Sequence, residues 1–67
     1  MPKIPMKAAR VAAGLTQEQL AEKMEVSRST VIGWESGEKD IKPANFYYFC
    51  KITGFDVSDV FLPSEST

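Results

Sequence analysis

A chain of 67 residues, 43% hydrophobic and 25% charged, is composed like a small soluble globule and not like a disordered segment. At such a length a folded chain buries roughly 60% of the surface it exposes when unfolded, enough for one core and too little for a catalytic cavity as well. The single cysteine, Cys50, excludes an internal disulfide framework, the lack of histidine removes the usual ligands of a zinc site, and no apolar run approaches a membrane span. Lys3, Lys7 and Arg10 are not followed by an apolar signal segment. The expectation is a cytoplasmic single domain over 1–67, with its core in 5–62 and a polar, frayed tail at 63–67.

The formal net charge of −1 argues weakly against a nucleic-acid partner, but the charge is unevenly spread. Residues 1–34 carry five basic side chains against three acidic ones, whereas residues 35–67 carry three against six. A local basic face is compatible with an acidic total.

In chain order, Met6 to Ala13 is free of internal proline and glycine. Pro5 suits a first helical position and Gly14 the left-handed residue that follows a helix. Met6, Ala9 and Ala13 share one face at helical spacing. Thr16-Gln17-Glu18-Gln19 reads as a capping box, with Leu15 as a staple before it and Leu20, Ala21 and Met24 as the apolar stripe of a second helix. After the break Glu25-Val26-Ser27, Ser27 caps a third helix that turns Val31, Trp34 and Glu35 inward and Arg28, Ser29, Ile32, Gly33 and Ser36 outward, and Gly37 ends it. Ile41 anchors a polar connector. Pro43 opens a fourth helix that runs to Thr53 and stops at Gly54, with Phe46, Phe49 and Cys50 in the core. Tyr47 and Tyr48 cannot both join them, so one is expected at the core edge and the other toward a partner. Asp56 is expected to cap a last short helix with Val57, Val60 and Phe61 packing back. The reading is an all-α fold of five short helices without strands.

Two short helices joined by three residues, the second capped by serine and bearing small or polar residues outward, form a helix-turn-helix. The first helix braces across a nucleic-acid backbone and the second enters the major groove by its N-terminal end. The residues Leu15-Thr16-Gln17-Glu18-Gln19-Leu20-Ala21, Val26-Ser27-Arg28-Ser29-Thr30-Val31 and Trp34-Glu35-Ser36-Gly37, with the ending Val60-Phe61-Leu62, closely resemble the Cro/C1-type (XRE) helix-turn-helix family of phage repressors and bacterial regulators. The resemblance covers roughly 6–62 and implies a lambda-repressor-like DNA-binding domain in a bacterial or phage-infected cell.

By that resemblance, Gln17 contacts phosphate and braces the recognition helix. Ser27, Arg28, Ser29 and Gly33 occupy base-reading positions, and Ser36, Lys39, Lys42 and Asn45 touch the DNA backbone. Arg10 and Glu35 form a buried ion pair, and Phe55, Val57, Phe61 and Leu62 form a homodimer contact, complete in the free protein or only on DNA. Two departures stand out. Glu25 occupies a turn position that usually holds glycine, at a cost of order 1 kcal/mol. Gly33 takes the place of a side chain that commonly reads a base, which thins the set of direct readers.

Each assignment has a plainer counterpart. Arg28 could be a solvated surface charge, although its place beside the cap favours base or phosphate contact. Ile32 is either an ordinary exposed apolar residue or a contact for a thymine methyl group. Ser27 caps its helix in either account, Lys39 and Lys42 could be simple loop lysines, and Cys50 reads as an inert buried thiol. Nothing supplies acid–base or nucleophilic chemistry, so neither an enzyme nor a cofactor, metal, small-molecule ligand or membrane contact is expected. The leading expectation is a sequence-specific regulator of transcription, a repressor of the Cro or prophage-repressor kind, that binds double-stranded DNA at a palindromic operator with residues 28–36 as its reading helix. The rival is a protein-binding module on the same scaffold: an antitoxin, an antirepressor or a coregulator.

Overall fold

Left-handed residues follow all four α-helices and side-chain caps open two of them in the computed structural model, which describes residues 3–62. The polar tail expected at 63–67 lies outside those residues. Helix α1 spans Met6–Ala12, α2 Gln17–Met24, α3 Arg28–Ser36 and α4 Pro43–Thr53. After α1, Gly14 turns left-handed, its N–H donating to the Val11 carbonyl and that of Leu15 to the Arg10 carbonyl, the paired bonds of a Schellman ending. The capping box before α2 is complete: Thr16 Oγ1 accepts from the Gln19 N–H at 3.0 Å, and Gln19 Oε1 accepts from the Thr16 N–H at 2.9 Å. Glu25 then takes φ 57° and ψ 42°, and the Val26 N–H closes on the Ala21 carbonyl, so a non-glycine residue carries the left-handed step between α2 and α3.

The core gathers from every helix. Phe49, Met6, Leu20, Val31 and Val60 are its largest fully buried side chains, joined by Ala9, Ala21, Met24, Trp34, Ile41 and Cys50. Helices α2 and α3 pack closely, as a helix-turn-helix requires, and α1 and α4 close the core around them.

The expected fifth helix is not formed. Val57–Asp59 makes one turn of 3-10 helix, and Val60–Phe61 (β2) pairs in parallel with Ile4–Pro5 (β1), Ile4 opposite Val60 and Pro5 opposite Phe61. The physical reasons are local. The Asp56 carboxylate does not cap the turn; it accepts from the Ser58 hydroxyl at 3.1 Å. Val60 is β-branched, adopts φ −124° and ψ 129°, and gains more by entering the core as a strand residue. Pro5 accordingly sits one residue earlier than expected, extended at φ −70° and ψ 159° ahead of α1.

Both tyrosines stay outside the buried core, Tyr47 56% and Tyr48 49% exposed. Phe49 and Cys50 occupy the inward side of α4, with the half-buried Phe46 ring stacked on Phe49 at 6.4 Å between centroids, and the intervening residues rotate outward. Lys51 Nζ lies 5.3 Å over the Tyr47 ring, and the Tyr48 hydroxyl donates a long bond to the Lys23 carbonyl at 3.5 Å.

Candidate nucleic-acid interface

Helix α3 is fastened to the core from beneath by Val31 and Trp34, and its start is fixed by Ser27, whose Oγ accepts from the Thr30 N–H at 3.2 Å. The same hydroxyl lies 2.8 Å from Thr30 Oγ1 and 3.1 Å from Ser29 Oγ, so the serine and threonine hydroxyls at the helix entrance form one small chain. Beside it Arg28 is exposed, and its side chain makes no hydrogen bond or ion pair with any described residue. Its guanidinium is therefore available, complete, to an outside acceptor.

Glu35 fixes the orientation of the unit. One carboxylate oxygen accepts from Arg10 Nε at 2.7 Å, and the other accepts from an Arg10 terminal nitrogen at 3.3 Å and from Gln17 Nε2 at 3.2 Å. Arg10 also donates to the Leu15 carbonyl at 2.7 Å. Helices α1, α2 and α3 are thus tied at one point in which the Arg10 and Glu35 side chains are only 8% and 6% exposed. The Gln17 side chain serves as the brace from α2 to α3.

The sequence-derived site residues divide into three groups. Ser27, Arg28, Ser29, Ile32 and Ser36 lie exposed along the outer side of α3, Ile32 at 40%. Lys39 and Lys42 are exposed on the connector, and Asn45 is half-buried in the first turn of α4. Gly33 departs from its expected place on the open face: it is buried, because the Lys39 side chain lies across it. Ser36 is also partly committed, its hydroxyl donating to the Gly33 carbonyl at 3.2 Å and accepting from the Glu38 N–H at 3.4 Å.

Sequence reasoning passed over Lys7. It lines an open cleft of about 640 Å³ together with Thr16, Gln17 and Arg28, where the starts of α2 and α3 face the side of α1. Its signal was present in the spacing, since Lys7 stands one helical turn before Arg10. The cleft brings two exposed cations, Lys7 and Arg28, to the N-terminal end of α2 against one exposed carboxylate, Glu18, so that its lining keeps a net positive charge.

On the far side, the apolar ending is largely used within the chain. Phe55 and Leu62 pack against the core and Phe61 is half-buried in β2, while Val57 stays 41% exposed. Among the described residues no group of three or more acidic or cysteine side chains is placed to hold a metal, and no helix is long and apolar enough to cross a membrane.

A buried tie between α1, α2 and α3, a three-residue turn and a capped, outward-facing third helix define a helix-turn-helix protein. The chain matches the helix-turn-helix family over residues 6–60, and it belongs to that family in its Cro/C1 (XRE) form, a family of DNA-binding transcription regulators. It is also similar to an uncharacterized HTH-type transcriptional regulator of Methanocaldococcus jannaschii, 37% identical over 57 residues that cover 85% of this chain and 86% of the relative. No solved structure gives a significant match.

Proposed function

We propose that the protein is a sequence-specific regulator of transcription, a repressor of the Cro or prophage-repressor kind, that binds a palindromic operator as a homodimer. The observation that carries this reading is the unpartnered Arg28 guanidinium at the exposed start of a helix whose inner face is locked by Trp34, Val31 and Glu35. A rigid helix with a free bidentate donor at its leading end can enter a major groove without first breaking any contact of its own. Lys7 and Gln17 beside it, and Lys42 and Asn45 beyond it, are suited to hold the flanking phosphates.

Pairing follows from size. A single unit of this kind buries about 600–1,000 Å² of its own surface on DNA, too little for a tight specific complex. The second copy is assigned to the face of Val57, Phe55, Phe61 and Leu62, next to an open groove of about 380 Å³ between α4 and the 3-10 turn. Two copies would read half-sites about 34 Å apart.

Selection of duplexes from a random pool, followed by gel shifts at low and higher salt and sedimentation on the selected site, tests the reading. A preferred palindrome, a steep salt slope and two copies per duplex are expected. One copy per palindrome at saturation removes the dimer. No duplex binding at low salt favours the protein-binding alternative, to which the acidic total and the exposed Tyr47 and Tyr48 lend support.

A further inference from the structure

We propose that Lys39 supplies, from the connector after α3, the base-reading side chain that Gly33 lacks; the proposal rests on the DNA-binding reading above. Position 33 shares the outer side of α3 with Ser29, four residues before it, and Ser36, three residues after it. A glycine there would ordinarily leave bare backbone facing solvent. Gly33 is instead buried while Lys39 remains exposed, because the lysine stem is laid over the glycine.

The fit depends on the missing methyl group. A Cβ at position 33 would stand 2.7 Å from Lys39 Cδ and 2.8 Å from Cγ, closer than non-bonded carbons approach. The backbone holds the lysine in that position. Gly37 turns left-handed at φ 85°, and the Lys39 N–H donates to the Gly33 carbonyl at 3.0 Å. Ser36 bridges the same carbonyl to the Glu38 N–H. The stem is thereby pinned along the reading side of α3, and its ammonium lies only two bonds past Cδ. Although Glu38 and Asp40 are its chain neighbours, Lys39 forms no ion pair among the described residues. Its donors are free for an acceptor on DNA, and a lysine in the major groove donates to guanine O6 and N7.

The test uses the full chain and the duplex selected for it. Affinities for that duplex and for its single-base variants are measured for wild type, Lys39→Met, Gly33→Ala and the double variant. Lys39→Met keeps an apolar stem on Gly33 and removes the donors. It should weaken the preferred site about ten- to hundred-fold and abolish discrimination at one position of each half-site. Gly33→Ala should relax that same position by displacing the lysine, with no fall in melting temperature, since alanine favours the helix over glycine. The double variant should be no worse than Lys39→Met. Equal weakening of every duplex by Lys39→Met, with a shallower salt slope, would make Lys39 a phosphate contact and overturn the proposal. So would unchanged discrimination in Gly33→Ala. A wild type that binds no duplex overturns the regulator reading itself and this proposal with it, an outcome distinct from either of those.

Discussion

Arg10 on α1 and Glu35 on α3, 25 residues apart in sequence, form an ion pair 2.7 Å long that is almost closed to solvent. Gln17 joins the same carboxylate, so the two helices of the motif and the helix before them share one electrostatic anchor. Replacing Arg10 by methionine leaves Glu35 buried with only an amide donor. Removing one partner of a buried pair costs about 3–5 kcal/mol, and for a domain of such length each kcal/mol lowers Tm by about 4–8 °C. Thermal melts of Arg10→Met should therefore fall by more than about 10 °C, and Arg10→Met combined with Glu35→Leu should recover part of the loss. A fall of a degree or two would mean the pair is solvated in solution.

Arg28 and Lys42 should behave differently on DNA. Arg28→Ala is expected to weaken the preferred site by about 1–3 kcal/mol and to relax choice at one position per half-site. Lys42→Ala should weaken all duplexes alike and reduce the salt slope by roughly one. Affinities for the selected duplex and its single-base variants separate the two. A uniform loss on Arg28→Ala would reassign Arg28 to phosphate.

The left-handed Glu25 offers a stabilising substitution. A β-carbon at φ 57° costs the turn free energy that glycine does not incur. Glu25→Gly should raise stability by up to about 1 kcal/mol, the penalty being partly offset by the greater freedom of glycine in the unfolded chain. Chemical denaturation would read this as a higher midpoint at unchanged slope, and a lower midpoint would show that the Glu25 side chain contributes more than the strain removes.

Burial, with a smaller contribution from the Asp56 carboxylate, pushes the Cys50 thiol up from its ordinary value. Alkylation of the folded protein should accordingly be slow at neutral pH and rise only in alkali or on unfolding. The sign for stability follows. An unfolded cysteine loses its proton near pH ~8.5, while the folded thiol still holds its own, so above that pH the unfolded state binds fewer protons and stability falls until the folded thiol also ionises. Denaturation of wild type and Cys50→Ala between neutral and alkaline pH checks it: the alanine variant should lose less stability over the rise, and equal slopes would assign the effect to other groups.

Much of this protein could be read from residue types at fixed spacings. Thr16 with Gln19, Ser27 before α3, and Gly14, Gly37 and Gly54 after their helices mark boundaries by local hydrogen bonding and φ, which depend on near neighbours in sequence. The same locality made the stripe of Leu20, Ala21 and Met24 legible, and with it the motif that carries the family. What required tertiary structure was every feature made by segments far apart or by the path of a loop. Ile4 and Val60 become a strand pair only because the two ends of the described chain meet over the core, and neither segment has an alternating pattern long enough to announce it. Tyr47 and Tyr48 turn outward together because Phe49 and Cys50 take the inward side of α4. The rotation of 100° per residue turns position 33 to the outer side of its helix, and the structure departs from that expectation by burying it, because Lys39 lies across it on a course set by the turn at Gly37 and the bond back to the Gly33 carbonyl. Helical periodicity tells which way a position faces; only the packing of the chain decides what lies against it.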